Sequence, residues 1–139
     1  MTHAEIDPQH QHIYDEWHRA ASARDQPALI ALYAEDATLE TPLAPQILDD
    51  MRDGVLRGRR EIKRFLDTGA RKRPNEWVRW YRTGAWFSRG NSLVWEYPRE
   101  IPGGEQIDIV EVMEVEQGLI QHHRIYWGWL GVQHLLRRG

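Results

Sequence analysis

Glu111 and His123 have the side-chain types that move protons, and they lie on two segments, 105–115 and 119–127, that alternate apolar and polar residues around Glu116-Gln117-Gly118. That pattern is an antiparallel hairpin. With Glu116-Gln117-Gly118 as a three-residue loop and Gly118 left-handed, Val115 pairs with Leu119, and Glu111 falls directly opposite His123. One face then carries Ile107, Ile109, Glu111, Met113 and Val115 beside Leu119, Gln121, His123, Ile125 and Trp127. The other carries Asp108, Val110, Val112, Glu114 and Glu116 beside Ile120, His122, Arg124 and Tyr126. The first set is the more apolar and is expected to face inward, with Glu111 and His123 as its only ionisable members. A two-residue Gln117-Gly118 turn is the rival, and it opposes Glu111 to Arg124 as a structural ion pair.

Desolvation penalises a carboxylate among Ile, Met, Val and Trp, whereas a histidine beside it favours the ionised pair. Either outcome leaves a proton donor or acceptor poised near neutral pH, as general acid–base catalysis requires. The competing reading is a buried pair whose members only satisfy each other. Metal chemistry is not expected. His122 and His123 are strand neighbours that must face opposite ways, His3, His10, His12 and His18 lie on a polar start without a carboxylate at ligand spacing, and Asp49, Asp50 and Asp53 lack the alternation of a calcium loop.

The elements that must position these residues follow from periodicity. Ile13, Tyr14, Trp17, Ala20 and Ala21 recur at helical spacing within 10–24. Asp25 as N-cap and Pro27 begin a second, short helix to about residue 35, with Ala28, Leu29, Leu32 and Tyr33 inward. Residues 37–41 alternate as a short strand stopped by Pro42, with Thr41 inward and Glu40 outward. The segment 43–56 reads as a long loop with room for one helical turn, and 59–70 as a third helix on Ile62, Phe65 and Leu66. Four antiparallel strands follow at about 76–87, 92–101, 105–115 and 119–127, then a helical turn or two within 132–138. Trp95 and Tyr97 share a face and join Trp127, Trp17 and Tyr14 around an apolar cavity, with Arg99 nearer its mouth. The inward parity of Trp77, Trp80 and Trp86 stays open.

Composition narrows the function classes. The 139 residues carry 18 Lys and Arg against 21 Asp and Glu, a net charge of −3, so no basic field exists for nucleic acid. One domain spanning 1–139, with its core at about 10–130, is expected. No cysteine is present, which excludes disulfides and thiolate chemistry and suits the cytoplasm. No apolar run approaches the roughly 20 residues that span a bilayer, so no membrane partner is expected. Seven tryptophans beside five tyrosines suit a pocket or an interface. Val110, Val112, Ile120 and Tyr126 make the outer sheet face too apolar for a monomer and predict a homodimer through it.

Three helices, a short strand between the second and third, and a four-stranded meander describe an α+β cone in which a curved antiparallel sheet wraps the helices. The runs from Asp25 to Pro42, Gly58 to Leu66 and Glu111 to Gly128 resemble the nuclear transport factor 2-like superfamily, in its SnoaL-like and ketosteroid-isomerase-like branch, over about residues 10–130. The resemblance implies the cone fold and a pocket for a small hydrophobic molecule, with cofactor-independent acid–base chemistry of isomerase, cyclase or dehydratase type. It also implies positions. Thr41 stands where ketosteroid isomerases carry their catalytic base, so that base is missing. Glu111 matches the oxyanion-holding acid, Trp17 matches a tyrosine of the first helix, and Tyr14, one turn earlier, can take that tyrosine's place. Ile125 stands where the limonene epoxide hydrolase pattern has an acid. The expected catalytic set is therefore Glu111, His123 and Tyr14, with Trp17, Thr41, Trp95, Tyr97, Met113, Ile125 and Trp127 around the ligand. The other reading is a non-catalytic binding or dimerisation module of the same fold.

Overall fold

The computed structural model describes residues 7–72, 85–96, 99–100 and 106–137. Helix α1 (Pro8–Ala23) starts at Asp7, whose carboxylate accepts the Gln9 N–H at 2.9 Å, with Pro8 where a missing N–H costs nothing. Its expected stripe of Ile13, Tyr14, Trp17, Ala20 and Ala21 is buried. Asp25 caps α2 (Gln26–Ile30) by accepting the Ala28 N–H at 3.1 Å. That helix stops five residues short of its expected end, because Tyr33 already opens strand β1 (Tyr33–Glu40) and pairs with Ile120. The long-range pairing overrides a helical spacing that local sequence supports equally well.

The segment read as a loop contains α3 (Ala44–Ile47) and the three-residue β2 (Val55–Arg57), too short for alternation to announce. Helix α4 (Arg59–Lys72) buries Ile62 and Phe65. Then come β3 (Trp86–Arg89), β4 (Ser92–Glu96), β5 (Arg99–Glu100), β6 (Gln106–Ile107), β7 (Ile109–Glu116), β8 (Leu119–Trp127) and α5 (Trp129–Arg137). Most of the strand expected at 76–87 lies outside the described residues.

The main sheet has the order β2-β1-β8-β7-β4-β3, and β5 pairs with β6 separately. The architecture is the expected α+β cone. Its sheet is mixed rather than wholly antiparallel, since β1 runs parallel to β8. The long passage from β1 through α3 and α4 and the later strands gives the chain length that a parallel pairing requires.

The hairpin of β7 and β8 decides which side chains reach the interior. Its turn is the two-residue one: Gln117 and Gly118 both have positive φ, 53° and 78°, and Glu116 pairs with Leu119. Continued unbroken, that register would set Glu111 against Arg124. Instead Val115 pairs with Ile120 while Glu114 pairs with His122, so Gln121 is an extra residue in β8. This bulge restores the parity beyond it. His123, Ile125 and Trp127 therefore share a face with Glu111, but the direct partner of Glu111 is Ile125, and that of His123 is Met113. Before the bulge the expected faces are exchanged. Ile120 is fully buried and Leu119 exposed, while Gln121 turns out to donate to Asp36 at 2.9 Å.

Candidate active site

Three buried polar side chains meet on the inner face. His123 Nε2–H donates to Glu111 Oε2 at 2.5 Å, and Tyr33 Oη–H donates to His123 Nδ1 at 2.8 Å. A carboxylate can only accept, so Nε2 carries the proton and the phenol supplies the other hydrogen bond. Tyr33, His123 and Glu111 are 2%, 1% and 3% exposed, an environment in which an unsatisfied group would be costly. Burial, followed by the nearby charge of Glu111, pushes the Tyr33 phenol above its ordinary range, which keeps it a donor. Both imidazole nitrogens are thus committed, whereas among the described residues only one oxygen of Glu111 is hydrogen-bonded.

These three residues line one side of a cavity of about 200 Å³, smaller than the roughly 300 Å³ at which small-molecule pockets usually begin. Trp17, Leu29, Leu39, Phe65, Ile109 and Ile125 supply apolar wall. Arg24 also lines the cavity and donates to the Ala70 carbonyl near the end of α4 at 2.5 Å. Thr41 also lines the cavity, and its hydroxyl accepts the Leu43 N–H at 3.2 Å. Close behind it runs Gly54, with φ +72°, where a Cβ would lie 2.8 Å from the Thr41 carbonyl oxygen.

Of the expected ligand-facing residues, Trp17, Thr41, Ile125 and Trp127 line this cavity together with Glu111 and His123. Tyr14, Trp95 and Met113 do not. Helix α1, which carries Tyr14, covers the part of the sheet that holds Trp95 and Met113 and closes it into core: Tyr14 packs edge-on to Trp95 with centroids 5.3 Å apart, and Trp95 and Met113 are fully buried. Trp86, across from Trp95, joins this cluster 5.9 Å from Tyr14. Tyr97, Trp77 and Trp80 lie outside the described residues.

Two further residues near the site were not singled out by sequence. Tyr33 supplies the phenol expected of Tyr14; its aromatic character at the head of an alternating YAEDATLE run was the available signal. His18, expected on the polar side of α1, is half-buried against the Tyr14 ring at 4.2 Å and donates to the Tyr14 carbonyl at 2.7 Å. Burial pushes its pKa down, opposed by that hydrogen bond and then by the charge of Glu111. His10, also expected on a polar surface, is buried and hydrogen-bonded to Ser88, tying α1 to β3. On the outer face His122 bridges Glu40 and Glu114, and Arg124 joins them.

Solved structures share this architecture. An NTF2-like protein of unknown function from Burkholderia pseudomallei K96243 superposes with a TM-score of 0.70 at 18% identity, over 93% of this chain and 98% of that one. TerC, co-crystallized with polyporic acid, gives 0.68 at 15% identity over 93% and 98%. A putative ketosteroid isomerase from Kribbella flavida DSM 17836 gives 0.63 at 22% identity over 86% and 78%. None of the curated proteins matches the chain. Among the described residues no helix is long and apolar enough to cross a membrane. The SnoaL-like domain matches residues 14–123, most of the sequence, and the chain belongs to that family.

Proposed function

We propose that the chain is a cofactor-independent acid–base catalyst of isomerase, cyclase or dehydratase type, acting on a small hydrophobic molecule. The observation that carries this reading is the buried chain from Tyr33 through His123 to Glu111 in the wall of an apolar cavity. Glu111, with one oxygen uncommitted among the described residues, takes the role of base: it accepts a proton from the bound molecule and returns it elsewhere. His123 is then a positioning residue, holding the carboxylate through Nε2–H while Tyr33 fixes its ring. That TerC was crystallised with polyporic acid and that another neighbour is described as a putative ketosteroid isomerase supports a ligand in this cone. Deuterium exchange into a panel of small ketones, followed by NMR in D2O, tests the reading. Exchange should depend on Glu111 and vanish in Glu111→Gln; a wild type that exchanges no ketone of any size would overturn it.

The alternative, a binding or dimerisation module, is favoured by Thr41, a side chain unable to act as base where ketosteroid isomerases carry one and already engaged with Leu43. Dimerisation through the outer sheet face, where Phe87 and Tyr126 are exposed, is compatible with both readings. The cysteine-free sequence suits work in the cytoplasm.

A further inference from the structure

Outside the cavity, a serine, a histidine and an aspartate meet where the start of α1 touches β3. Ser88 Oγ–H donates to His10 Nδ1, and the other ring nitrogen, Nε2, lies 3.7 Å from Asp7 Oδ2. Because Nδ1 is the acceptor, Nε2 carries the ring proton, on the side of the carboxylate. Asp7 is oriented by the helix it caps. Its Oδ1 accepts the N–H groups of Gln9 and His10 at 2.9 and 3.4 Å, which leaves Oδ2 for the imidazole one turn on. His10 is 2% exposed, so surrounding protein holds its ring, whereas Ser88 is exposed on β3. An accessible hydroxyl, a buried imidazole that accepts its hydrogen and a carboxylate behind that imidazole are the parts of an activated serine, which is recognised by these roles and not by chain order.

The hairpin of β3 and β4 supplies a fourth part. Gly90, with φ 58°, and Asn91 form a two-residue turn, so the flanking pair Arg89 and Ser92 exchanges backbone hydrogen bonds and the next pair, Ser88 and Leu93, does not. The Ser88 N–H therefore points away from β4, and among the described residues β3 is the edge strand of the sheet. A negative oxygen that forms beside Ser88 Oγ can meet that N–H.

We infer that Ser88 is a nucleophilic acyl acceptor, with His10 as its base and Asp7 stabilising the imidazolium, at a site separate from the cavity around Glu111. An exposed serine with one oxyanion donor suits an activated ester, an aryl ester or thioester, and not an amide. Ser88 Oγ attacks the carbonyl carbon while its proton passes to His10 Nδ1. The Oγ–C bond forms, and the bond from that carbon to the leaving oxygen or sulfur breaks, its electron pair staying with the leaving atom, which takes the proton from His10. Water attacking the same carbon by the same proton path then releases the acid, and nothing is oxidised or reduced.

Nitrophenolate release from p-nitrophenyl acetate by the full chain tests this. The wild type should release it at least tenfold faster than Ser88→Ala, an exposed substitution that leaves the fold alone. Ser92→Ala, a serine of the same hairpin outside the site, should match the wild type. His10→Gln should slow release at least about 100-fold, the scale of a lost general base. Asp7→Asn, which keeps a side-chain cap for α1, should slow it at least about tenfold. Equal release by the wild type and Ser88→Ala, or by the wild type and a folded His10→Gln, would overturn the inference and leave the Ser88–His10 hydrogen bond as a tie between α1 and β3. Should His10→Gln not fold, Ser88→Ala and Asp7→Asn decide, and wild-type release in both would overturn it.

Discussion

Glu111 and His123 are two positions out of register across the β7–β8 hairpin, yet carboxylate and imidazole meet at 2.5 Å. Diagonal neighbours on one face of a sheet are further apart than direct partners, and two long side chains leaning toward each other close that gap. The direct partners, Ile125 and Met113, are both apolar. Glu111→Gln should retain an acceptor for His123, cost about 1–3 kcal/mol of stability, the scale of an impaired buried hydrogen bond, and lower exchange activity at least about 100-fold. Tyr33→Phe should be milder in activity but similar in stability, since it frees only Nδ1 of His123. Thermal denaturation read beside deuterium exchange checks both.

Leaving Gln121 unpaired as a bulge is what keeps His123 on the inner face. Deleting Gln121 makes β8 an unbulged strand in which Glu114 still pairs with His122, Met113 with His123 and Glu111 with Ile125, so His123, Ile125 and Trp127 stay on the inner face and the contact of Gln121 with Asp36 is lost. The deletion variant should therefore fold, melt close to the wild type and keep its exchange activity. An insoluble variant, or one that melts far below the wild type, would show that the bulge itself is needed.

Two glycines brace the cavity from behind. Gly54→Ala puts a side chain at φ +72° and within 2.8 Å of the Thr41 carbonyl oxygen, and should destabilise by more than about 1 kcal/mol. Gly131→Ala drives a methyl group into the Trp127 and Ile107 side chains and should cost about 1–3 kcal/mol as overpacking. Urea denaturation measures both, and the second should also perturb ligand titrations because it moves a cavity wall.

His18 supplies a pH dependence with a definite sign. Burial holds its folded pKa below the ordinary value, against the Tyr14 carbonyl and the charges of Glu111 and Asp15. The unfolded chain therefore takes up a proton at His18 first, and folding stability falls as pH drops through about 6.5. The loss stops growing once pH is below the folded value. Melting temperatures of wild type and His18→Gln across about pH 5–7.5 should show a shallower slope in the variant; parallel curves would contradict this.

The outer sheet face presents Phe87, Val94, Val110, Val112 and Tyr126 around the cluster of Glu40, His122, Glu114 and Arg124. Sedimentation should find a dimer at micromolar concentration. Val112→Glu, at the centre of that face and opposite Arg124, should weaken it at least tenfold, whereas a monomeric wild type would remove the proposal.

Residue types and their periods were enough for the helices of α1 and α4, the Asp25 cap with Pro27 in the first turn after it, the hairpin at 109–127 and the choice of Glu111 and His123 as inward-facing ionisable residues. These are local or period-two properties, carried by side chains that have one favourable side to bury. The SnoaL-like resemblance was legible for the same reason. What the chain could not announce locally depended on partners far away. Tyr33 belongs to β1 only because β8 is there to pair with it, and the parallel alignment of those strands exists only in the folded sheet. The Gln117-Gly118 turn and the Gln121 bulge changed parity twice, so the inward face came out as expected beyond the bulge through a different register. The division of that face was likewise tertiary. Helix α1 sealed Tyr14, Trp95 and Met113 into core, while α2 and α4 left the cavity over Glu111, His123 and Trp127, because helix placement, which no single strand's pattern contains, decides whether an inward side chain meets protein or open space.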